Sequence, residues 1–479
     1  MKNTCLGFFF LFLSILQPLV AQSFPSLDPD PKALEYAAKA KNGLSWEDLA
    51  EISLWASAGR PSYLVIIKTA VNELLRDPDL PPDQRGRGEY IQAFMFKKFL
   101  KTYSEKQTRI DTMLNNGSYN CVSSAVLYAI FARAAGLDAR GVATKDHAFV
   151  KVLIEGEELD VETTNPYGFD PGNRKDFHDG FGKVTGFAYV PARNYRDRVD
   201  LNALELVSLI FNNRITELDT RSRYADAIPL ALDRAALLSN PTNTEYSELF
   251  VDPKKMVMDR IFNYGAGLVK AGKENDALAW AALAEPGYPE PSRWQEFLSV
   301  VVNNLLVKLV RAGRLDEARN ALSGNADKIS PETYIRLDAM LAETDIVRLV
   351  NAVKTMKDVD AALAALDKAP SSIAADKLKE MRIFTLIKKS EFIAKEQGWF
   401  EAIVFAEEAQ AAYGADPRMD EHLRAYRTNR VADLHNAFAD AYNGRDIEKA
   451  RTIIRDALNE FPGNRQLIQD RELVDRGLR

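Results

Sequence analysis

The sequence predicts an α+β domain followed by a longer all-α array of helical hairpins. Three observations predict it. An apolar helical run from Val122 to Ala135 precedes two β-like segments, His147–Ile154 and Glu158–Thr164. Everything after about Leu201 carries helical periodicity. Within that stretch a short turn, an acidic start and an alanine recur, and the aligned alanines 227, 277, 318, 362, 402 and 450 are spaced by 50, 41, 44, 40 and 48 residues. Periods of this size mark repeated supersecondary units.

Length and composition set the bounds. The chain has 479 residues, which at roughly 100–200 residues per domain predicts two to four domains. Hydrophobic residues make up 46% and charged residues 27%, enough apolar material for packed cores. The formal net charge is −6 with no Lys/Arg block, which argues against a nucleic-acid partner. Four histidines and two cysteines argue against a disulfide scaffold and a Cys/His zinc site, and no metal or other cofactor is expected.

The first 21 residues read as a signal peptide. Lys2 supplies the positive start, Leu6–Leu16 the apolar run, and Ala21 a cut site. The run is too short for a comfortable membrane span, and no later stretch reaches 18 apolar residues. A periplasmic or secreted protein is therefore expected, with no integral membrane segment once the signal is removed. Cleavage removes Cys5 and Lys2, leaving Cys121 as the lone thiol and 61 basic against 68 acidic residues, or −7.

Residues 22–30 are rich in Pro and Asp and read as a flexible linker. The first domain is placed at 31–200 and the helical array at 201–479. Apolar stripes predict helices between Pro31 and Lys106, interrupted by the loop Asp77–Gly88, with the last of them running from Tyr90 to Tyr103. Asn115-Asn116-Gly117 predicts a turn, and Gly136 a helix stop. Glu155-Gly156 predicts a tight hairpin turn.

Candidate chemistry gathers around Cys121. A cysteine at a helix start meets unpaired N–H groups and the positive dipole end, which favour thiolate and can hold an oxyanion. A thiolate nucleophile needs a base, and His147 opens the first strand; a third group usually orients that base. If Glu155-Gly156 is a two-residue turn, Ile154 pairs with Glu157 and facing residues sum to 311. Glu162 is then the diagonal neighbour of His147, within side-chain reach. Asp160 lies one step further and is the alternative orienter. A one-residue slip would move both acids to the opposite face. The competing reading makes Cys121 a packed core thiol, His147 a member of a polar network, and both acids a solvated strand face. Asn120 is expected to cap the helix rather than to hold an oxyanion. His178 is expected at the surface, and Asp170, Asp176 and Asp179 lack EF-hand spacing. His422, His435, Trp280, Trp294 and Trp399 are assigned to the packing of the repeats.

The run Tyr119-Asn-Cys121-Val-Ser-Ser-Ala-Val-Leu-Tyr128, then Gly136-Leu, Asp146-His147-Ala-Phe-Val150 and Leu159-Asp-Val-Glu162-Thr-Thr164 resembles the transglutaminase-like superfamily over about residues 110–168. The resemblance implies a papain-like core, with Cys121 as nucleophile, His147 as general base and acid, and Glu162 as third member. The family usually has Asp where Glu162 stands and Trp where Ala148 stands. In the second half, Ala450, Ile454, Ala457 and Pro462, with Ala402, Ala406 and Ala409, resemble the second helix of tetratricopeptide repeats. That resemblance implies a solenoid with a concave binding surface.

Two functions follow. One is an exported cysteine hydrolase or acyltransferase acting on amide or peptide bonds, with the repeats binding a protein or peptide substrate. The other is a catalytically inactive scaffold that binds exported proteins through its repeats.

Overall fold

The computed structural model describes residues 23–172, 177, 181–183, 185, 197–239 and 252–476. The expected signal peptide and His178, Asp176 and Asp179 lie outside the described residues. The chain is mostly helical, with a small proportion of strand. It divides between Pro289 and Glu290 into two compact units.

The first unit opens on four helices: α1 (Pro31–Ala40), α2 (Trp46–Ala56), α3 (Tyr63–Arg76) and α4 (Gln84–Lys98). Asp30, Ser45 and Asp83 cap α1, α2 and α4 by accepting from first-turn amides. α4 stops at Lys98 instead of reaching Tyr103, because the Lys101 and Thr102 amides donate to the Gly117 carbonyl. Tyr103 therefore lies in β1 (Thr102–Tyr103), paired in parallel with β2 (Ser118–Tyr119) across α5 (Ile110–Asn116).

α6 (Cys121–Ala134) is the central helix. Every residue from Val122 to Ala132 is buried, so it is enclosed on all sides. It packs against α2, α4 and the sheet formed by β3 (Asp138–Ala143), β4 (Ala148–Ile154), β5 (Glu157–Val161) and β6 (Val199–Leu201). The spatial order is β5-β4-β3-β6, antiparallel throughout. The expected hairpin is β4–β5, and its facing residues do sum to 311, with Ile154 opposite Glu157. Glu155 and Gly156 both have positive φ (51° and 89°), the conformation of a two-residue turn between twisted strands. β5 ends at Val161, earlier than the expected Thr164, because the Glu162 amide turns to the Gly168 carbonyl.

Among the described residues, four further helices belong to this unit: α7 (Ala203–Thr220), α8 (Tyr224–Leu237), α9 (Pro253–Lys270) and α10 (Glu274–Ala284). The boundary expected at residue 200 from helical periodicity thus falls inside it. α7 buries Leu204–Phe211 and Ile215 against α2, α6 and the sheet, so it completes the mixed core. The described part of the expected flexible linker 22–30, residues 23–30, is tied down. The Asp30 amide donates to Asp233, Asp30 accepts from the Trp55 indole, the Leu27 carbonyl accepts from Tyr288, and the Phe24 ring lies tilted against Trp280 at 5.7 Å.

The second unit consists, among the described residues, of helices alone: α11 (Pro291–Arg311), α12 (Leu315–Ser323), α13 (Pro331–Asn351), α14 (Met356–Asp367), α15 (Ala375–Glu396), α16 (Trp399–Tyr413), α17 (Pro417–Asn443), α18 (Ile447–Glu460) and α19 (Arg465–Arg476). Consecutive helices pack, and each of α11, α13, α15 and α17 also touches the next but one. The aligned alanines have a physical reason. Ala318, Ala362, Ala402 and Ala450 are all fully buried, as are Ala227 and Ala277 in the first unit. A larger side chain there would hold neighbouring helices apart. No described helix is long and apolar enough to cross a membrane.

Candidate active site

The site is built at the N-terminus of α6. Gly117 ends α5 in the left-handed conformation (φ 78°) and sends the chain through β2 into Asn120. Asn120 is buried and tied into the start of α6. Its Oδ1 accepts from the Ser123 amide at 3.0 Å, its own amide donates to Ser123 Oγ at 2.9 Å, and its Nδ2 donates to the Glu105 carbonyl at 3.0 Å. This is a capping box. Cys121 follows at the first helical position, partly exposed as a free thiol. The amides of this first turn have no acceptor of their own within the helix.

His147 sits one residue before β4. The Thr144 amide donates to its carbonyl at 2.9 Å, closing the turn between β3 and β4. Its Nε2 lies 2.7 Å from Glu162 Oε2. Cys121 lines the same cavity as the imidazole and adds to the support of its charged form. Burial opposes the charged ring. The Glu162 charge, then Cys121 and the Glu162 hydrogen bond, outweigh it, and the imidazolium is held well above the ordinary histidine range.

Glu162 is buried and saturated. Its other oxygen, Oε1, accepts from the Thr164 amide at 3.1 Å and from Thr164 Oγ1 at 2.6 Å. Its backbone is fixed from both sides: its amide donates to Gly168 at 2.8 Å, and its carbonyl accepts from Gln92 Nε2 at 2.8 Å. The same Gln92 nitrogen donates to the Asn165 carbonyl. Ser124 Oγ and Thr163 Oγ1, 2.8 Å apart, tie α6 to this segment.

The structure therefore brings Cys121, His147 and Glu162 together. Asp160 is employed elsewhere. It receives both Arg198 Nη1 (3.0 Å) and Nη2 (2.6 Å), and this fork lies over the Phe149 ring at 5.3 Å. Phe149 in turn stacks on His147 at 6.1 Å, and Phe181 meets the imidazole edge-on at 5.8 Å. These two rings flank the histidine although Ala148 follows it in sequence. Asp170 is paired with Arg85. His435 is bonded to buried Asp470 at 2.8 Å, and His422 lies against Tyr426 and Glu391. Among the described residues no cluster of three or more His, Cys, Asp or Glu could hold a metal ion.

A cavity of about 730 Å³ opens beside Cys121 and His147. Tyr103 lines it; burial first, then the negative charge of Cys121 and Glu162, raises its hydroxyl far above the ordinary tyrosine range, so it stays protonated. The far wall is α7, whose Asn212, Asn213 and Thr216 face the cavity. Sequence reasoning did not reach Gln92, Phe181 or this wall. The Asn212-Asn213 pair that ends the apolar run of α7 is the one local signal that could have found it.

No protein-family model matches this chain, and neither does any curated protein or solved structure.

Proposed function

We propose that this chain is an exported cysteine hydrolase or acyltransferase of the transglutaminase-like type, acting on amide or peptide bonds, in the periplasm or outside the cell. The observation that carries the reading is the imidazole of His147, bonded to the Glu162 carboxylate and lining one cavity with the Cys121 thiol. The order Cys–helix–His–hairpin–acid on a helix-backed antiparallel sheet supports a papain-like core. The buried alanines of α12, α14, α16 and α18 support tetratricopeptide-like repeats that bind a protein or peptide.

In this reading His147 takes the thiol proton and Cys121 Sγ attacks the amide carbonyl carbon, forming the C–S bond. The carbonyl oxygen becomes an oxyanion near the first-turn amides of α6. As the C–N bond breaks, the imidazolium gives its proton to the departing amine. The thioester is then attacked by water or by a second amine. His147 accepts the attacking proton and returns it to the sulfur. Glu162 keeps the ring oriented and stabilises its charged form, and Thr164 fixes Glu162.

The test is direct trapping. The protein is mixed with a panel of peptide and glutamine amides plus hydroxylamine. Hydroxamate formation, with an acyl adduct on Cys121 by intact mass, is expected and is lost in Cys121→Ala. If wild type and Cys121→Ala are indistinguishable across the panel, the inert scaffold that binds through its repeats becomes the better account.

A further inference from the structure

The cavity has a wall that the Cys–His–Glu group does not use. α7 buries its apolar side in the core and turns a second face outward. Leu209, Asn212, Asn213, Thr216 and Thr220 follow the i, i+3, i+4 spacing of one helical face, and all of them line the cavity. Beyond Leu209 this face is polar and carries no net charge. Glu217, which shares it, is paired with Arg221 at 2.8 Å.

The carboxamides are available. Asn213 Nδ2 donates to Thr108 Oγ1 at 3.3 Å, which fixes its orientation and leaves its oxygen uncommitted. The Asn212 side chain makes no hydrogen bond among the described residues. A carboxamide offers both a donor and an acceptor, which matches the peptide group. The mouth near Cys121 carries Lys106 and Lys145 beside Glu105 and Asp146, two charges of each sign, so it selects no net charge. Apart from Leu209, the aliphatic side chains on the walls, Val122, Ala143 and Ala148, are short. The volume fits a few residues of chain.

We propose that this face of α7 is the specificity wall: Asn212 and Asn213 hydrogen-bond an extended, uncharged polar stretch of peptide and lay its reacting amide against Cys121. The proposal rests on the reading of Cys121 as nucleophile.

Two capped pentapeptides of equal length test it, one built from Gln, Ser and Asn, the other from Leu, Val and Phe. Each is titrated against alkylation of Cys121 by iodoacetamide in the full-length protein. The polar peptide is expected to protect at a concentration about tenfold lower than the apolar one. Asn212→Leu and Asn213→Leu are each expected to raise its half-protecting concentration about tenfold, the loss of one or two hydrogen bonds. Equal protection by the two peptides, no protection by the polar one, or an unchanged half-protecting concentration in both variants overturns the proposal. Failure of the underlying reading is seen separately, in wild type without peptide: Cys121 is then alkylated no faster than a free peptide thiol.

Discussion

His147 and Glu162 are joined across the mouth of the β4–β5 hairpin, Nε2 to Oε2 at 2.7 Å, each just outside the ladder that positions it. Val150 faces Val161 in that ladder, so the two residues emerge as diagonal neighbours. The carboxylate is then locked by Thr164 on its other oxygen. The ring is oriented by strand register and charged by its acid partner, and both properties depend on the same pair.

Stability should carry the mark of that pairing. The imidazolium of His147 is favoured in the folded protein, because Glu162 and Cys121 outweigh the cost of burial. A raised folded value makes its contribution fully present below the ordinary histidine value of 6.5, and lost as pH climbs through the raised value. In urea unfolding of wild type and His147→Gln, the advantage of wild type is expected to shrink as pH rises from acid to alkaline. A difference that stays constant or grows with pH would contradict the assignment.

Glu162→Gln keeps a hydrogen-bonding oxygen beside His147 and removes the charge. The imidazolium then loses its main support, and with it the thiolate partner. Alkylation of Cys121 near neutral pH is expected to slow on the order of tenfold to a hundredfold. An unchanged rate would mean that Glu162 only orients the ring.

Asp160 supplies the contrasting result. Its carboxylate is held by the Arg198 fork and makes no bond to His147. Asp160→Asn is expected to cost about 1–3 kcal/mol of stability, as loss of charge-assisted hydrogen bonds does. Thiol reactivity should persist, because the Glu162 bond remains. Loss of reactivity in a folded Asp160→Asn protein would transfer the orienting role to Asp160.

Gly168 marks how tightly the acid is supported. A Cβ there would stand 2.0 Å from the Glu162 carbonyl oxygen and 2.9 Å from Gln92 Nε2. Gly168→Ala must displace the segment that carries Glu162. We expect a stability loss of about 3 kcal/mol or more, the range of severe overpacking, together with loss of the rapid alkylation. Wild-type denaturation and wild-type reactivity in this variant would show that the loop can relax at no cost.

The features legible in the sequence are those set by local rules. Glu155-Gly156 fixes a two-residue turn, the turn fixes the register, and the register puts Glu162 rather than Asp160 beside His147. Asn120 reads as a cap, and a cap is what it is. The alanine period reads as close helix contact, and those alanines are buried. The rest depended on distant partners. β3 and β6 pair across more than fifty residues, and β6 is three residues long, too short for any alternation to register. α7 looked like the first helix of the array because its periodicity is helical; only packing on β3 and α6 makes it part of the site. Tyr103 read as the end of a helix, and a parallel pairing with β2 made it strand.

The most direct measurement is the rate at which iodoacetamide alkylates Cys121 in the full-length protein from about pH 4 to pH 9, with His147→Ala alongside. The account predicts that wild type reacts faster than a free peptide thiol at acid to neutral pH, and that this excess disappears in His147→Ala. A wild-type rate that tracks the free thiol over the whole range, unaffected by His147→Ala, would contradict the thiolate–imidazolium pair and, with it, the proposed chemistry.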